Sequence, residues 1–81
     1  MIIGTVMGSV WATKKEESLN GYKLMLVKTY DKLVVATDRV GAGVGDRVLL
    51  TFGSSAHIAE DVPIDASIVG IIDSLESEEV L

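Results

Sequence analysis

The sequence has 81 residues, no cysteine and one histidine, so it predicts one small domain without disulfides and argues against a structural zinc site. The net charge is −5, and this acidic balance argues against a protein that binds a phosphate backbone. Hydrophobic residues form 48% of the chain, which is more apolar material than a small monomer can bury and therefore favours oligomerisation.

The chain carries no recognisable signal for export or membrane insertion. Its N-terminus lacks a basic region followed by an apolar block, so no signal peptide is predicted. No apolar run approaches the roughly 20 residues that a transmembrane helix needs. We therefore expect a cytoplasmic protein with no membrane partner.

The first predicted strand covers residues 1–11 and has two different faces. The more apolar face contains glycines, which suit a strand that bends sharply in a small barrel. Its members are Ile2, Gly4, Val6, Gly8 and Val10. The other face includes Met7 and Trp11, which we expect to contact a neighbouring subunit. The alternative is that these two side chains cap the barrel's own core.

The middle of the sequence predicts a β-hairpin after a polar connection. The connection covers residues 12–22 and contains an Asn-Gly turn signal. Apolar strands are predicted at 23–30 and 33–38, and the two residues between them suit a tight turn.

Two more strands complete the predicted fold. They cover residues 47–52 and 66–73. Ser54 is a suitable N-cap for one short helix over residues 54–60. Five short strands and one short helix predict an all-β protein with a small closed or partly open barrel. A five-stranded OB-like barrel fits this length and strand count, although periodicity does not determine the topology.

A loop with glycine at every second position precedes the fourth strand. Gly41, Gly43 and Gly45 predict a fixed, crowded structural loop, and we expect a positive φ or a close backbone approach at Gly43. A phosphate site is disfavoured because a strand follows the loop and the P-loop Lys-Ser/Thr is missing. The carboxylate of Asp46 would also repel a phosphate.

The sequence contains no convincing catalytic constellation. Ser54, Ser55, His57 and Asp61 resemble the parts of a hydrolase triad, but triad members normally come from distant segments and need an oriented base. The histidine is better interpreted as a surface residue. We therefore predict no enzymatic activity, no cofactor and no metal site.

Single-stranded nucleic acid is a second ligand class that OB-like barrels suggest. Such sites need stacking aromatic residues in a basic groove. The aromatic residues are Trp11, Tyr22, Tyr30 and Phe52, and no basic cluster accompanies them. Nucleic acid is therefore not an expected partner, although a binding module remains the alternative to a structural role.

Several motifs together resemble the EutN/CcmL family. They are the opening MIIGTVMGSVWAT, the LNGYKL segment, the DRVGAGVGDRVLL loop and strand, the GSSA turn and the final PIDASIVGIID strand. The segments cover nearly the whole chain in the family's order, and their combination is specific. The connection between the second and third strands is shorter than in the family, which should only trim a surface loop.

The resemblance implies a structural protein of bacterial microcompartments. Members of this family form pentamers that cap the vertices of a polyhedral shell tiled by hexameric shell proteins. The resemblance thus implies an OB-like barrel, self-association and no enzymatic activity. The alternative is a small-ligand or single-stranded nucleic-acid binding module on the same barrel. A discrete cyclic oligomer would favour the first hypothesis and a monomer the second.

The resemblance also implies roles for individual residues. Gly53, Ser54 and Ser55 would lie near the five-fold axis and line any opening there. His57 stands where the family often has arginine, and could alter a subunit contact near the axis. The barrel domain would cover residues 1–75, and residues 76–81 would form an acidic C-terminal tail.

Overall fold

Five strands form a closed barrel in the computed structural model, which describes residues 1–53 and 64–74. Around the barrel the strands follow the order β1-β2-β3-β5-β4. Their bounds are β1 Ile2–Val10, β2 Leu24–Lys28, β3 Leu33–Asp38, β4 Arg47–Phe52 and β5 Ala66–Ile71. The predicted all-β class and five-stranded barrel are therefore confirmed.

The one helical element with both ends inside the described residues is a 3₁₀ turn, Glu17–Leu19. This turn lies in the polar connection between β1 and β2. The short helix predicted for residues 54–60 falls outside the described residues, as does the tail at 76–81.

The core consists mainly of branched apolar side chains that the strands direct into the barrel. Val6 is opposite Val27 on the neighbouring strand, and Leu50 is opposite Ile68. These four side chains are almost completely buried, as are Met25 and Val48. Branched side chains suit a pleated strand, and full burial of one contributes about 1.5–3 kcal/mol. Alternation of such residues along short strands is thus sufficient to define the inside of the barrel.

A β-bulge in β1 changes the face that each residue presents. Val6 is opposite Val27, but the next pair is Gly8 with Leu26, so one extra residue is inserted between them. Beyond the bulge, Gly8 and Val10 therefore lie on the outer surface of the barrel, next to the outward-facing residues of β2. The predicted alternation is correct as far as Val6 and wrong for Gly8 and Val10.

Because of the bulge, Ser9 rather than Gly8 lies on the side of β1 that continues the inward-facing row. It is opposite the buried Met25, and its hydroxyl donates to the Met25 Sδ atom at 3.7 Å. The inserted residue is Met7, whose side chain remains exposed. The bulge thus ends the apolar interior near one end of β1 and places small residues on the outer surface.

A short parallel contact between β3 and β5 closes the barrel. Only two residue pairs form it, Thr37 with Ser67 and Asp38 with Ile68. The Thr37 and Ser67 hydroxyls are 2.8 Å apart, and both residues are buried. The Arg39 N–H extends the contact by donating to the Ile68 carbonyl at 3.3 Å. A buried side-chain hydrogen bond therefore reinforces the point at which the sheet meets itself.

Gly4 lies where two strands and the core crowd the backbone. A Cβ atom at this position would be 2.5 Å from Val27 Cγ1, 3.1 Å from the Lys28 carbonyl oxygen and 3.3 Å from Leu50 Cδ1. The carbonyl belongs to the backbone and cannot rotate away. A residue without a side chain is therefore required here.

The glycine loop is fixed by two carboxylates from its own ends. Asp38 Oδ1 accepts hydrogen bonds from the N–H groups of Val40 and Gly41, at 3.0 and 2.9 Å. Asp46 Oδ2 accepts one from the Gly43 N–H at 2.8 Å. Loop amides that could bind an anion are thus already occupied by anionic groups of the chain.

Positive φ values occur at Gly41 and Gly45, which have φ of 83° and 92°. Gly43 has no positive φ, and a Cβ added there would be 3.8 Å from Asp46 Oδ2, an ordinary contact. The expectation of strain or crowding at Gly43 is therefore wrong. Asp38 and Asp46 stabilise this loop, in which the two glycines with a positive φ lie on either side of Gly43.

The first prediction concerns Gly4. Gly4→Ala should lower the free energy of unfolding by about 1–3 kcal/mol because the new methyl group overpacks the core. Gly43→Ala is the control, since a Cβ there would be 3.8 Å from Asp46 Oδ2, an ordinary contact, and Gly43 lies in neither β1 nor the core. Urea unfolding at a fixed protein concentration measures both variants. Equal stability of the two variants would contradict the crowding argument.

The second prediction separates the loop glycines. Gly45→Ala should destabilise the protein by about 1–2 kcal/mol, because alanine is unfavourable in the left-handed region. Gly43→Ala should change stability by less than about 0.5 kcal/mol. Thermal melting of the two variants side by side distinguishes the positions, and a larger loss for Gly43→Ala would refute this assignment.

The third prediction tests the closing hydroxyl pair. Thr37→Val keeps the shape of the side chain and removes its hydrogen bond to Ser67, so we expect a loss of about 1–2 kcal/mol. Thr5→Val, on the half-exposed outer face of β1, should stay within about 0.5 kcal/mol of the parent. Denaturant unfolding of both variants is the measurement, and an unchanged midpoint for Thr37→Val would show that the pair is dispensable.

Candidate assembly surfaces

Met7 lies in β1, and Trp11 is the residue that follows this strand. Their exposed fractions are 50% and 89%. A side chain that is 89% exposed does not cover the core, so the structure disfavours the alternative that Trp11 caps the barrel. Contact of these two residues with a neighbouring subunit remains a prediction.

One apolar row crosses the outer surface of β1, β4 and β5. Ile3 is opposite Leu49, and Leu49 is opposite Gly70. The absence of a side chain at Gly70 lets Leu49 lie against its backbone, since an added Cβ would be 3.4 Å from Leu49 Cδ1. We call this set, Ile3, Leu49 and Gly70, the first outer row.

A different apolar row crosses β1, β2 and β3. Gly8 is opposite Leu26, which is opposite Val35. Leu33 lies nearby on β3 and is exposed. We call Gly8, Leu26, Val35 and Leu33 the second outer row. Because β2 and β3 lie on one side of β1 in the closed barrel and β4 and β5 on the other, the two rows face different directions.

A cleft of about 300 Å³ lies at the C-terminal end of β1. Its walls combine apolar side chains with two lysines, and none of its described lining residues is acidic. The lining residues are Ser9, Val10, Trp11, Lys15, Gly21, Tyr22, Lys23 and Leu24. The cleft therefore offers an apolar surface with positive charge at its edge.

Lys23 connects this cleft to the glycine loop. Its ammonium group is 3.8 Å from Asp38 Oδ2 and 3.5 Å from the Ala42 carbonyl oxygen. The Asp38 side chain is 1% exposed and the Lys23 side chain 53%. The Asp38 Oδ2 atom has no hydrogen-bond partner within the described part of the chain, so this ion pair is its compensation. Sequence reasoning missed the contact because 15 positions separate the two residues and they belong to two different motifs, whose spacing does not show that they meet.

The aromatic residues considered for nucleic-acid stacking are divided among different places. Trp11 and Tyr22 line the cleft, whereas Tyr30 is fully exposed between β2 and β3. Phe52 packs against the core and lies under the Lys32 ammonium group, 5.5 Å from the ring centroid. Among the described residues these four side chains do not form one stacking surface.

Gly53 is the one predicted axis residue that the structure describes. It is exposed, has a φ of 69°, and donates its N–H to the Asp65 carbonyl at 3.0 Å. Ser54, Ser55 and His57 lie outside the described residues, so their positions near an axis or interface remain predictions.

The described ranges also bear on metal binding and on membrane insertion. Residues 1–53 and 64–74 contain no group of three or more His, Cys, Asp or Glu side chains placed to hold a metal ion. No helix in these ranges has the length and apolar character needed to cross a bilayer.

Comparison with known proteins relates nearly the whole chain to one family. A family model described as "Ethanolamine utilisation protein EutN/carboxysome" matches residues 1–73. The microcompartment shell vertex protein GrpN of Rhodospirillum rubrum is 41% identical, over 95% of this chain and 98% of its own length. The carboxysome shell vertex protein CcmL of Synechococcus elongatus is 40% identical, over 96% of this chain and 89% of its own.

A solved structure extends this similarity to three dimensions. It is that of the pentameric microcompartment shell protein GrpN from Rhodospirillum rubrum, which superposes with a TM-score of 0.83 at 40% identity. The match covers 95% of this chain and 98% of GrpN. Sequence motifs, barrel topology and overall superposition agree, and the chain belongs to the EutN/CcmL family.

Proposed function

We propose that this protein is a structural shell protein that assembles into pentamers and closes the vertices of a bacterial microcompartment. The observation that carries the proposal is the superposition on a pentameric shell protein over nearly the full length of both chains, at 40% identity. Vertex proteins from several microcompartments share about the same identity with this chain, so the proposal does not depend on one relative.

The distribution of exposed apolar residues supports ring formation. A cyclic oligomer needs a heterologous interface, in which two different patches of one subunit meet head to tail. The first and second outer rows are two such patches, on different sides of one rigid barrel. Their burial between neighbours accounts for apolar side chains, such as Leu33 and Val35, that a monomer would leave in water.

The same role places the protein in the compartment shell, in the cytoplasm, with hexameric shell proteins as partners at the outer edge of the ring. It requires no cofactor and no catalytic group. The relatives are structural shell proteins, which favours a non-enzymatic role here too.

Residues 53–55 are assigned to the neighbourhood of the ring axis. Gly53 is exposed, and the two serines after it are small, so several copies can converge without steric conflict. Hydroxyl and amide groups there can remain hydrated, which a narrow opening requires. His57 would contribute to a subunit contact close to this opening, and Met7 and Trp11 to contacts further from it.

The fourth prediction tests the ring and its axis together. Native mass spectrometry of the purified protein should show a discrete five-subunit species, and a monomer would refute the proposed function. Ser55→Trp should disrupt that species, because five bulky rings cannot occupy a narrow axis, while circular dichroism still reports a folded β-protein.

Thr13→Trp is the control for this substitution, because Thr13 is exposed in the connection after β1. It should leave the oligomer intact. If Ser55→Trp also assembles like the parent at the same concentration, residue 55 lies away from the axis, and the assignment of residues 53–55 fails while the pentamer stands.

A further inference from the structure

We propose that the cleft at the end of β1 binds the acidic C-terminal segment of the same subunit, residues 75–81. The segment would continue from β5 past the end of the barrel and lie along the cleft as a strap. The proposal concerns a single chain and therefore does not depend on the ring.

The cleft has the size and the surface to bind a short peptide. Its volume of about 300 Å³ is at the lower end of the range for ligand sites. Val10, Trp11 and Leu24 provide an apolar wall, and Trp11 is 89% exposed. Covering one face of this indole removes apolar surface from water and leaves the other face available to a neighbouring subunit.

Positive charge at the cleft selects an acidic occupant. Lys15 and Lys23 both line it, and its described lining includes no carboxylate. Glu16 and Glu17 follow Lys15 in the sequence but do not line the cleft. Asp38, the partner of Lys23, is 1% exposed, whereas the lysine side chain is 53% exposed. Lys23 can therefore approach a second carboxylate from the solvent side.

The last seven residues of the sequence, LESEEVL, match these requirements. They contain three glutamates, Glu76, Glu78 and Glu79, and no basic residue. Val80 and Leu81 follow the glutamates directly, so apolar and acidic groups are adjacent in the segment, as apolar and basic groups are in the cleft.

The direction of β5 carries the segment toward the cleft. β4 is antiparallel to both β1 and β5, so β5 runs in the same direction as β1. The Ile72 N–H donates to the Arg47 carbonyl at 2.8 Å, and Arg47 is opposite Thr5 on β1. The chain therefore leaves β5 level with the middle of β1 and heads for the end of β1 at which the cleft lies.

The chain after β5 is long enough to reach the cleft. Ser9, Val10 and Trp11 lie four to six residues beyond Thr5, which is roughly 13–20 Å along the strand. One strand, β4, separates β5 from β1, which adds about 10 Å across the sheet and gives a direct distance of roughly 17–22 Å. Nine residues follow Ile72 and span at most about 30–32 Å. Residues 79–81 therefore reach the cleft before the chain is fully extended.

The covalent connection makes a weak contact sufficient. Exposed ion pairs contribute little individually, so the apolar contact with Trp11 would provide most of the affinity and the two lysines most of the selectivity. A short flexible tether gives an effective concentration in the millimolar range. The subunit's own segment can therefore occupy a site that would bind the same peptide only weakly from solution.

Disulfide trapping tests the proposal directly, because the parent chain has no cysteine. Ser9→Cys, at the cleft, and Val80→Cys are combined in one full-length chain, which is then oxidised. We expect a disulfide within the chain, which migrates as a monomer on a denaturing, non-reducing gel. Its yield should be about ten times that of a chain with Tyr30→Cys and Val80→Cys, because docking raises the effective concentration of the two thiols.

Tyr30→Cys is a control matched for reach. Tyr30 is fully exposed between β2 and β3 and lies outside the cleft. Lys28 is opposite Thr5, so Tyr30 is only two residues beyond the level at which the chain leaves β5, and the same segment can reach it. A disulfide there measures random collision of the tethered segment with an exposed thiol.

Replacement of the glutamates tests the role of charge. Glu76→Gln, Glu78→Gln and Glu79→Gln together should reduce the yield of the Ser9–Val80 disulfide by about threefold or more, as should an ionic strength of about 1 M, where the Debye length falls to about 3 Å. Glu16→Gln with Glu17→Gln, outside the cleft, is the control and should leave the yield unchanged.

The single tryptophan reports the apolar contact without any cysteine. Val80→Ser with Leu81→Ser in the full-length chain should shift Trp11 emission to longer wavelength, because the indole then returns to water. Val44→Ser is the control, since Val44 is 70% exposed and lies outside the cleft, and it should leave the emission maximum in place.

Each outcome supports or overturns one claim. A disulfide yield equal to that of the Tyr30→Cys control overturns the docking proposal, and an unchanged emission maximum in the Val80→Ser, Leu81→Ser variant overturns the contact with Trp11. A cross-link that joins two chains into a dimer overturns the assignment to the subunit's own segment. Native mass spectrometry of the same samples reports on the ring separately: pentamers without the disulfide leave the proposed function intact, whereas the disulfide in a monomeric protein supports the strap and refutes the ring.

Discussion

The β3–β5 contact is the constraint on which the rest of the barrel depends. The other strand pairs are longer and antiparallel, whereas this parallel one has two residue pairs and a buried hydrogen bond between Thr37 and Ser67. Without it, β3 and β5 would each present an unpaired edge, and exposed edges invite pairing with other chains. Closure thus converts a sheet with aggregation-prone edges into a subunit in which β3 and β5 pair with each other and leave no edge of the sheet open.

Closure also determines what the subunit can offer to neighbours. Once the edges are paired, association must use side chains on the outer faces of the strands. The barrel directs its two apolar rows away from each other, and the bulge at Met7 allows β1 to contribute to both. A single inserted residue therefore changes the surface on which β1 side chains appear without opening the core.

Much of the fold could be predicted from the sequence, because short apolar strands separated by turn residues leave few alternatives. β3 and β4 begin and end at the predicted residues, and β1, β2 and β5 are shorter than predicted. The bulge could not be foreseen, since periodicity records alternation and does not reveal an insertion. The parallel contact of Thr37 with Ser67 was equally hidden, because neither residue differs in type from an ordinary surface hydroxyl.

The site residues were harder to predict than the fold. The sequence identified the glycine loop, but it did not show that Gly41 and Gly45 have a positive φ and Gly43 does not, nor that loop N–H groups donate to the carboxylates of Asp38 and Asp46. The cleft is lined by Lys15 together with Tyr22 and Lys23, which follow the 3₁₀ turn, and the sequence does not show that these residues line one site. Family resemblance was needed to propose roles for Ser54, Ser55 and His57, because their residue types alone suggest a surface turn.

The carboxylates that occupy the glycine loop have a consequence for assembly. A loop whose amides are already hydrogen-bonded within the subunit has little conformational freedom left to lose when a partner arrives. If the loop became ordered only when subunits associate, every subunit would lose that conformational entropy on assembly. These unfavourable contributions would add up around the whole ring. A subunit whose loops become ordered during folding loses little loop entropy on assembly. Closure of a ring of many subunits then depends on the fit between subunit surfaces alone.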